Sequence, residues 1–537
     1  MKICPRCRLE YFDDSLHFCL EDGTRLVHAV PNGNSLNEPA TIRLADRSVP
    51  VFPDGLRSDP QAETLTMSGF VPNSIVVLPF TRLSSDPDDE YFCDGLSEEL
   101  ISALSRIDGL KVVARTSAFS FKGRNLDVAH VGSILNVSNI VEGSVRKAGD
   151  RMRISVQLIN TSDGYSIWSE KYDTEIRDIF EVQDTITYSV VKALKNKLLD
   201  AQAEKDDKMS GLIEELKHHV HTVEAYQLYL RGRFLFSKFN EPDLYRALEC
   251  FEQAIVIEPN FAEAYSGKAD VYMWLTELGP LAALEGMPMA KEAALKAISL
   301  NPGLSEAHTS LGIVLQEFDY DFRKAEEEYK KAIDLNLNNA LAFQMYGSLL
   351  AQLGRFDEAN ERFERSLVLD PLSPMGSWIY PFGLFLERRY LDSIDRANKI
   401  LELDGNFAAG YLILSFDHHL LGNLEACKEN YCRFLDIFGL NSVASEARAG
   451  FDAGGWDGFL GAMTEPHVRA AVSFYITAVY FSALGNIDAA VECLEQSFDK
   501  REGHIVMLNV DPRFDALRED PRFQRIINDV GFPSASH

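Results

Sequence analysis

Two kinds of hydrophobic pattern divide this chain of 537 residues. In the C-terminal part, apolar residues recur at three- and four-residue spacing in segment after segment, which is typical of amphipathic helices. Between residues 73 and 199, short apolar runs and one alternating run stand between helical segments. This mixture predicts strands and helices packed in one α+β domain. Residues 1–72 carry neither pattern in a sustained form.

The helical part is organised around residues 340–371, which read ALAFQMYGSLLAQLGRFDEANERFERSLVLDP. Gly347 would let two helices approach closely, and Gly354 would end the first of them. Ala359 and Phe363 would pack the second helix against the first. This spacing resembles the tetratricopeptide (TPR) pattern of helical hairpins, which repeats about every 34 residues.

The same packing positions recur on both sides of that stretch. The small-residue position of the second helix is filled by Ala247, Ala290, Ala325, Ala359, Ser393 and Cys427. We predict six TPR hairpins over residues 222–435, forming an all-α superhelix. For residues 436–537 we predict irregular helices, a last hairpin and a capping helix. The capping helix has a polar face, as the end of a solenoid requires. The TPR resemblance implies an interaction scaffold with a protein or peptide partner.

Stacked TPR hairpins leave a concave groove that is lined mainly by the first helix of each hairpin. The repeat phase predicts that this groove is lined by Tyr226, Tyr229, Arg233, Phe236, Lys268, Gln344 and Ser348. Such an aromatic and basic patch would suit an extended peptide with acidic or apolar side chains. The alternative is that aromatic residues at helical spacing belong to the core between helices.

The mixed segment over residues 73–199 predicts a layered α/β module. The run 74–80 is apolar and β-branched, as a buried strand should be. Residues 90–107 have helical spacing, residues 110–115 predict a second strand, and residues 139–145 predict a third. A short helix is expected over residues 126–135.

The second half of the module predicts a hairpin and a closing helix. Residues 151–160 alternate strictly and face residues 164–172 across a turn that contains glycine, and residues 179–199 form a long amphipathic helix. The motifs SIVVLPF, LKVVARTSAFSFKG, IVEGSVRK and GYSIWSEKYD resemble the TolB amino-terminal-like (FlgO-like) domain. That resemblance implies a regulatory or ligand-sensing unit of bacterial signalling proteins, where this domain usually precedes TPR repeats.

The N-terminus predicts a small zinc-ribbon-like knuckle. Its candidate metal ligands are Cys4, Cys7, Cys19 and Asp22. Two ligands three residues apart in a tight turn can hold one side of a tetrahedral ion, and a second such turn completes the site. We expect structural zinc, with His17 as an alternative fourth ligand. A metal-free knuckle is the alternative, because Asp22 stands where a fourth cysteine would be.

The remaining segments read as connections. The knuckle occupies residues 1–29, a flexible linker follows over residues 30–72, and a linker helix is expected over residues 200–221. No run is long and apolar enough to span a membrane, and the first residues lack the apolar core of a signal peptide. The scattered cysteines favour reduced thiols. We therefore expect a cytoplasmic protein.

The charge of the chain and its missing catalytic motifs narrow the function. Lys and Arg number 53 against 81 Asp and Glu, a net charge of −28, which disfavours nucleic-acid or anionic-membrane partners. We find no catalytic residues or phosphate-binding glycine loop, so we expect a non-enzymatic interaction scaffold whose module senses or docks. The alternative is a non-catalytic subunit of a bacterial signalling or transcription-regulatory complex. A third hypothesis is an enzyme of nucleotide cyclase or hydrolase type in the module.

Overall fold

The computed structural model describes most of the module and nearly all of the repeat array. The described residues are 71–83, 89–107, 109–124, 127–148, 151–175, 182, 185–190, 192–193, 222–469 and 472–533, together with the backbone of three short strands nearer the N-terminus. Those strands are β1 (Lys2–Ile3), β2 (Glu10–Tyr11) and β3 (Val27–His28), and they pair in the order β2-β1-β3.

Several predicted features lie outside the described residues. These are the candidate zinc ligands Cys4, Cys7, Cys19 and Asp22, the linker up to residue 70, and the linker helix over residues 200–221. Zinc binding by the knuckle therefore stays a prediction.

The module is built on a six-stranded mixed sheet. Its strands are β4 (Val71–Val77), β5 (Thr81–Arg82), β6 (Lys111–Val112), β7 (Val137–Ala148), β8 (Arg151–Asn160) and β9 (Ser166–Glu175). The order is β6-β4-β7-β8-β9, with β5 beside β7. The strands β4 and β6 run parallel, as do β4 and β7, while β7, β8 and β9 form an antiparallel meander.

Helices cover the sheet because the sequence gives each element one apolar face. The helices are α1 (Asp89–Ser105), α2 (Arg115–Phe119) and α3 (Val128–Leu135). Along β8, Met152, Ile154, Val156 and Leu158 are buried and alternate with more exposed polar residues, as the sequence predicted. The described part of the predicted closing helix is helical over residues 185–190.

The predicted strand at residues 110–115 was too long. Only β6 is a strand there, and Arg115 already begins α2. The strand ends because Ala114 is the N-cap of α2, and the array satisfies the backbone N–H groups that point away from β4 at this edge of the sheet. The Val112 N–H donates to the side chain of Asn338, and the Ala114 N–H donates to the Leu369 carbonyl.

The C-terminal region is a TPR-type array of antiparallel helix pairs. Its helices are α4 (Val223–Phe236), α5 (Glu241–Ile257), α6 (Ala262–Glu277), α7 (Ala283–Leu300), α8 (Ser305–Val314), α9 (Phe322–Leu335), α10 (Ala340–Gln352), α11 (Phe356–Leu369), α12 (Pro374–Leu386), α13 (Tyr390–Leu403), α14 (Ala408–Leu420), α15 (Leu424–Ile437), α16 (Asn441–Met463), α17 (Pro466–Arg469), α18 (Phe474–Ala483), α19 (Ile487–Asp499) and α20 (Pro521–Val530). A π-helical turn, Leu315–Asp319, extends α8.

The central hairpin forms as its spacing predicted. A Cβ on Gly347 would lie 2.7 Å from the Phe363 ring, so α10 and α11 could not pack as they do with any larger residue there. Gly354 has φ +75°, the left-handed conformation that ends α10. The irregular helix pair expected after α15 is α16, which is broken at Gly454 and Gly455.

The end of the chain packs back onto the middle of the array. Of the predicted capping helix over residues 511–530, only α20 is an α-helix, and a 3₁₀ turn (Pro512–Leu517) precedes it. Tyr475, Ile505 and Phe514 are fully buried in one core with Leu311 and Leu349 of α8 and α10. We call this contact the C-terminal closure.

Candidate functional site at the junction of module and array

Helix α1 of the module packs along α4, the first helix of the array. The contact depends on Gly95, because a Cβ at that position would lie 2.6 Å from the side chain of Leu230. Leu96, Leu100 and Leu104 are buried in the core that α1 shares with the sheet. One face of α1 thus serves the module, and another meets the array. We call the contact of α1, α2 and β6 with the array the junction.

A largely buried charge cluster crosses the junction. Arg233 of α4 donates from Nε to the Glu98 carboxylate of α1 at 2.8 Å, and Arg115 of α2 donates to the same carboxylate at 2.9 Å. Asp270 of α6 lies 3.7 Å from the Arg233 guanidinium and accepts a hydrogen bond of 2.7 Å from Ser310 of α8. Burial opposes ionisation of Glu98, but the charges of Arg233 and Arg115 outweigh it and hold its pKa below the usual value.

Other carboxyl groups at the junction have raised pKa values. Burial raises the pKa of Glu99 to about 7, and the charges of Glu98 and Glu263 add to the shift. Burial also raises the pKa of Asp270 to about 6, against the lowering effect of Arg233. The junction therefore brings together more carboxyl groups than the guanidinium groups can neutralise. Protonation of Glu99 consequently favours the contact between module and array.

Asn338 ties the edge of the module's sheet to the array. It lies in the loop between α9 and α10 and is 7% exposed. Its amide nitrogen donates to the carbonyls of Ser105 and Leu110 at 2.9 and 3.0 Å, and its amide oxygen accepts from the Val112 N–H at 3.0 Å. One side chain from the array thus forms hydrogen bonds with three backbone groups of the module, which are 226 to 233 residues away in sequence.

The loop between α11 and α12 holds the start of α2. The carboxylate of Asp370 accepts hydrogen bonds from the backbone N–H and the hydroxyl of Ser117, the first of them 3.0 Å long. The Ser117 hydroxyl also accepts from the Leu372 N–H at 2.8 Å. Burial raises the pKa of Asp370, although the hydrogen bonds from Ser117 act in the opposite direction. The loops that follow two successive hairpins of the array therefore fasten the same part of the module.

The structure separates the predicted groove residues into groups. Arg233 is a central residue of the junction, and Tyr226 on the same helix is buried, 4% exposed. The Tyr229 ring lies 5.1 Å from that of Phe261, so it belongs to the packing between hairpins, as the alternative interpretation expected for aromatic residues.

The other predicted groove residues make different contacts. Phe236 contacts the Phe239 ring at 5.3 Å, and Lys268 forms an ion pair of 2.8 Å with Glu252 of α5. Gln344 is buried on α10, and Ser348 accepts a hydrogen bond of 3.2 Å from the side chain of Gln352. Phe236 also lies beside Arg233, with its ring centre 5.8 Å from the guanidinium, and peptide binding by any of these residues stays a prediction.

Sequence reasoning missed Glu98, Asn338 and Asp370. One signal for Asn338 was available, because the loops after α5, α7 and α11 carry prolines whereas the loop after α9 reads NLNN. Such a departure from the repeat pattern can indicate a residue with a role outside the repeat packing. Nothing in the local pattern marks Glu98, since a glutamate on a helix face is normally solvated.

Neither a membrane span nor a metal cluster emerges from the part of the chain that the structure describes. No helix in it is long and apolar enough to cross a bilayer. Nor do three or more His, Cys, Asp or Glu side chains come together there in a way that could hold a metal ion.

Comparison with known proteins links the module to transcriptional regulators. The family model of the HilA/YgeH-like transcriptional regulator, second domain, matches residues 72–189. "Putative adenylate cyclase 3" of Rhizobium meliloti is 38% identical over 193 residues, which cover 36% of this chain and 31% of that protein. "Transcriptional regulator HilA" of Salmonella paratyphi A is 26% identical over 303 residues, which cover 56% of this chain and 51% of that protein.

Shorter similarities concern the repeats. "Type IV pilus assembly protein PilF" of Pseudomonas aeruginosa is 34% identical over 73 residues, 14% of this chain and 29% of that protein. A solved structure of Pseudomonas aeruginosa pilF covers 42% of this chain and 97% of its own, with 18% identity and a TM-score of 0.31. The chain thus spans about a third to a half of the curated relatives that match it over the longest stretches.

Proposed function

We propose that this protein is a non-enzymatic regulatory scaffold that holds its module and TPR array as one unit and binds protein partners with it. The junction carries this proposal. Asn338 and Asp370, which lie in loops of the array, form hydrogen bonds with backbone groups of the module. Arg233 places a largely buried charge against α1. Such contacts fix the position of two domains, which is what a scaffold must do.

The regulatory part of the proposal draws on the comparisons. A family model of transcriptional regulators matches the module, and the alignment with a regulator named HilA covers more than half of this chain. We propose that this protein acts in the cytoplasm, as a non-catalytic subunit of a transcription-regulatory or signalling complex. The resemblance of the module to the TolB amino-terminal-like domain supports the same role.

Cyclase activity has less support. The relative from Rhizobium meliloti is named as a putative adenylate cyclase, but the alignment covers 31% of that protein. Most of that protein lies outside the alignment, so its name does not describe the aligned part alone. The perturbed carboxyl groups at the junction are engaged with arginines, serines and each other, which is a structural use.

Zinc in the knuckle is a separate part of the proposal. Cys4, Cys7, Cys19 and Asp22 would hold one ion, and its role would be structural. We expect elemental analysis of the full chain to find one zinc per molecule, and a variant with Cys4→Ser and Cys7→Ser to lose it. A full chain without zinc would support the metal-free alternative.

Partner capture from the source cells tests the scaffold proposal. Full-length protein is cross-linked in cells and purified, and the cross-linked residues are mapped by mass spectrometry. We expect one or more proteins cross-linked to the array or the module, and the same proteins with the surface variant Arg323→Glu, whose side chain is 80% exposed. Only random cross-links spread over both domains would contradict the proposal.

A further inference from the structure

The array surface beneath α1 has the properties of a helix-binding site. We infer that the surface formed by α4 and α6 binds helices that present a glutamate to Arg233, that α1 is its resident occupant, and that a partner helix binds there by displacing the module. This inference rests on the proposed scaffold function, since it names the site and the class of partner. The partner's chemistry follows from what the surface holds now.

The arginine at the centre of this surface is held in place by the array itself. Asp270 lies beside the Arg233 guanidinium, and the hydroxyl of Ser310 fixes Asp270 in turn. Both supporting residues belong to the array, so removal of α1 would leave them in place. An oriented, largely buried guanidinium recognises a carboxylate by charge-assisted hydrogen bonds. Arg233 now donates two of them, from Nε and from a terminal nitrogen, to one carboxylate oxygen of Glu98.

The shape of the surface adds a second requirement. Leu230 lies one helical turn before Arg233 and fills the space over Gly95, where no Cβ fits without movement of the leucine. Gly95 and Glu98 are three residues apart and therefore lie on the same face of α1. A partner helix should thus carry a glycine, or another small residue, three positions before a glutamate.

The resident helix is not an ideal occupant electrostatically. Next to Glu98 it also brings Glu99 to the junction, where Glu263 and Asp270 already supply negative charge. The guanidinium groups that act on this cluster are those of Arg115, Arg233 and Arg106. A helix with one glutamate and a neutral neighbour would avoid the burial of the second carboxyl group. The docked state is therefore open to competition.

Displacement of α1 would be transmitted to the rest of the module. The helix is packed against the sheet through Leu96 and Leu100, so it leaves with the module rather than alone. The bonds of Asn338 and Asp370 to the module would break in the same event. Exchange of the Val112 and Ala114 amide hydrogens therefore reports on displacement at a distance from the binding surface.

A peptide copy of α1, residues 89–107 with a fluorescent label, is the probe. We expect the full chain to bind it weakly, because the site is occupied, and the full-chain variant Glu98→Arg to bind it at least about tenfold more tightly. In that variant the resident helix repels Arg233 while the array surface is unchanged. The Val112 and Ala114 amides of the variant should exchange faster than those of the wild type.

A charge-reversed pair guards against a misfolded variant. The full chain with Arg233→Glu should reject the natural peptide and bind the peptide carrying Glu98→Arg. The chain with both substitutions should show slower amide exchange than the chain with Glu98→Arg alone, but not full recovery, because Arg115 and Asp270 then face like charges. Equal binding of both peptides to every variant, or no binding to any opened variant that keeps the helical circular dichroism signal, would overturn the inference. Capture of cellular partners elsewhere on the chain would leave the scaffold proposal intact.

Discussion

The junction and the C-terminal closure cover different parts of the same array by different chemistry. At the junction, a buried ion pair and side chains bonded to backbone groups hold a separate domain. At the closure, Ile505, Leu508 and Phe514 are fully buried among the apolar residues of α8 and α10. Apolar packing is strong but has little directional specificity, whereas polar contacts depend on charge and exact position. The closure should therefore govern stability, and the junction should govern the position of the module.

Each contact also contains carboxyl groups whose pKa is raised. In the closure, burial raises the pKa of Glu317 well above its usual value, and the neighbouring carboxylate of Glu277 adds to this effect. In the junction, the corresponding group is Glu99. Two acidic groups that lie side by side favour one bound proton. In this acidic chain, both contacts therefore favour protonated carboxyl groups.

The largest effect is expected from Phe514→Ala in the closure. The ring is fully buried, so the substitution removes apolar contacts and leaves a cavity, and we expect a loss of about 3–5 kcal/mol in the free energy of unfolding. Chemical denaturation followed by circular dichroism measures it. The matched control Ile487→Ala, at a site 39% exposed, should cost less than half as much. Similar values for both variants would show that the closure is not an apolar core.

A smaller effect is expected from Asn338→Ala at the junction. The substitution leaves the Val112 N–H and the carbonyls of Ser105 and Leu110 without their partner, at a cost of about 1–3 kcal/mol. The amide of Val112 should exchange faster while amides in the closure keep their protection. Asn339→Ala is the control, because it removes the N-cap of α10 and not a bond to the module. Faster exchange of Val112 in the control as well would contradict a specific role for Asn338.

The junction should weaken as the pH rises, with a still smaller effect. The pKa of Glu99 is raised to about 7 from its usual 4.5. Its stabilising contribution is complete below about pH 4.5 and is lost as the pH rises through 7, because the docked state then has to bury a charged group. Asp270, with a pKa raised to about 6, acts in the same direction.

Amide exchange of Val112, corrected for the intrinsic pH dependence of exchange, measures this weakening between pH 6 and pH 8. Exchange should be faster at pH 8 in the wild type, and the difference should shrink in Glu99→Gln. If the glutamine variant kept the full pH dependence, the groups responsible would lie elsewhere.

The smallest effect is expected from Arg388→Ala in the closure. Arg388 pairs with Asp515 at 2.6 Å, but the two side chains are 48% and 44% exposed. Exposed ion pairs contribute little, so we expect a loss of about 0.2–1 kcal/mol by chemical denaturation. The same measurement on Arg233→Met, where the charge is largely buried, should give a larger loss. Equal losses would remove the distinction between the two contacts.

Part of this architecture could be predicted from the sequence because its causes are local. The fit of Phe363 over Gly347 depends on residues within one hairpin, and the same spacing recurs at the other hairpins. The alternation along β8 likewise follows from the two faces of a strand. The prediction failed at residues 110–115, where α2 begins and the strand ends, and no prediction connected Arg233 with the module.

The sequence by itself determined the repeat period, the strand and helix types of the module, and the order of the domains. Only the tertiary structure decided what covers the surface formed by α4 and α6. Glu98 and Arg233 are 135 residues apart, and Asn338 lies still farther from its backbone partners. Periodicity records how neighbouring residues pack, whereas contacts over such separations depend on the path of the whole chain. That is why Arg233 could be singled out from the sequence while its partner could not.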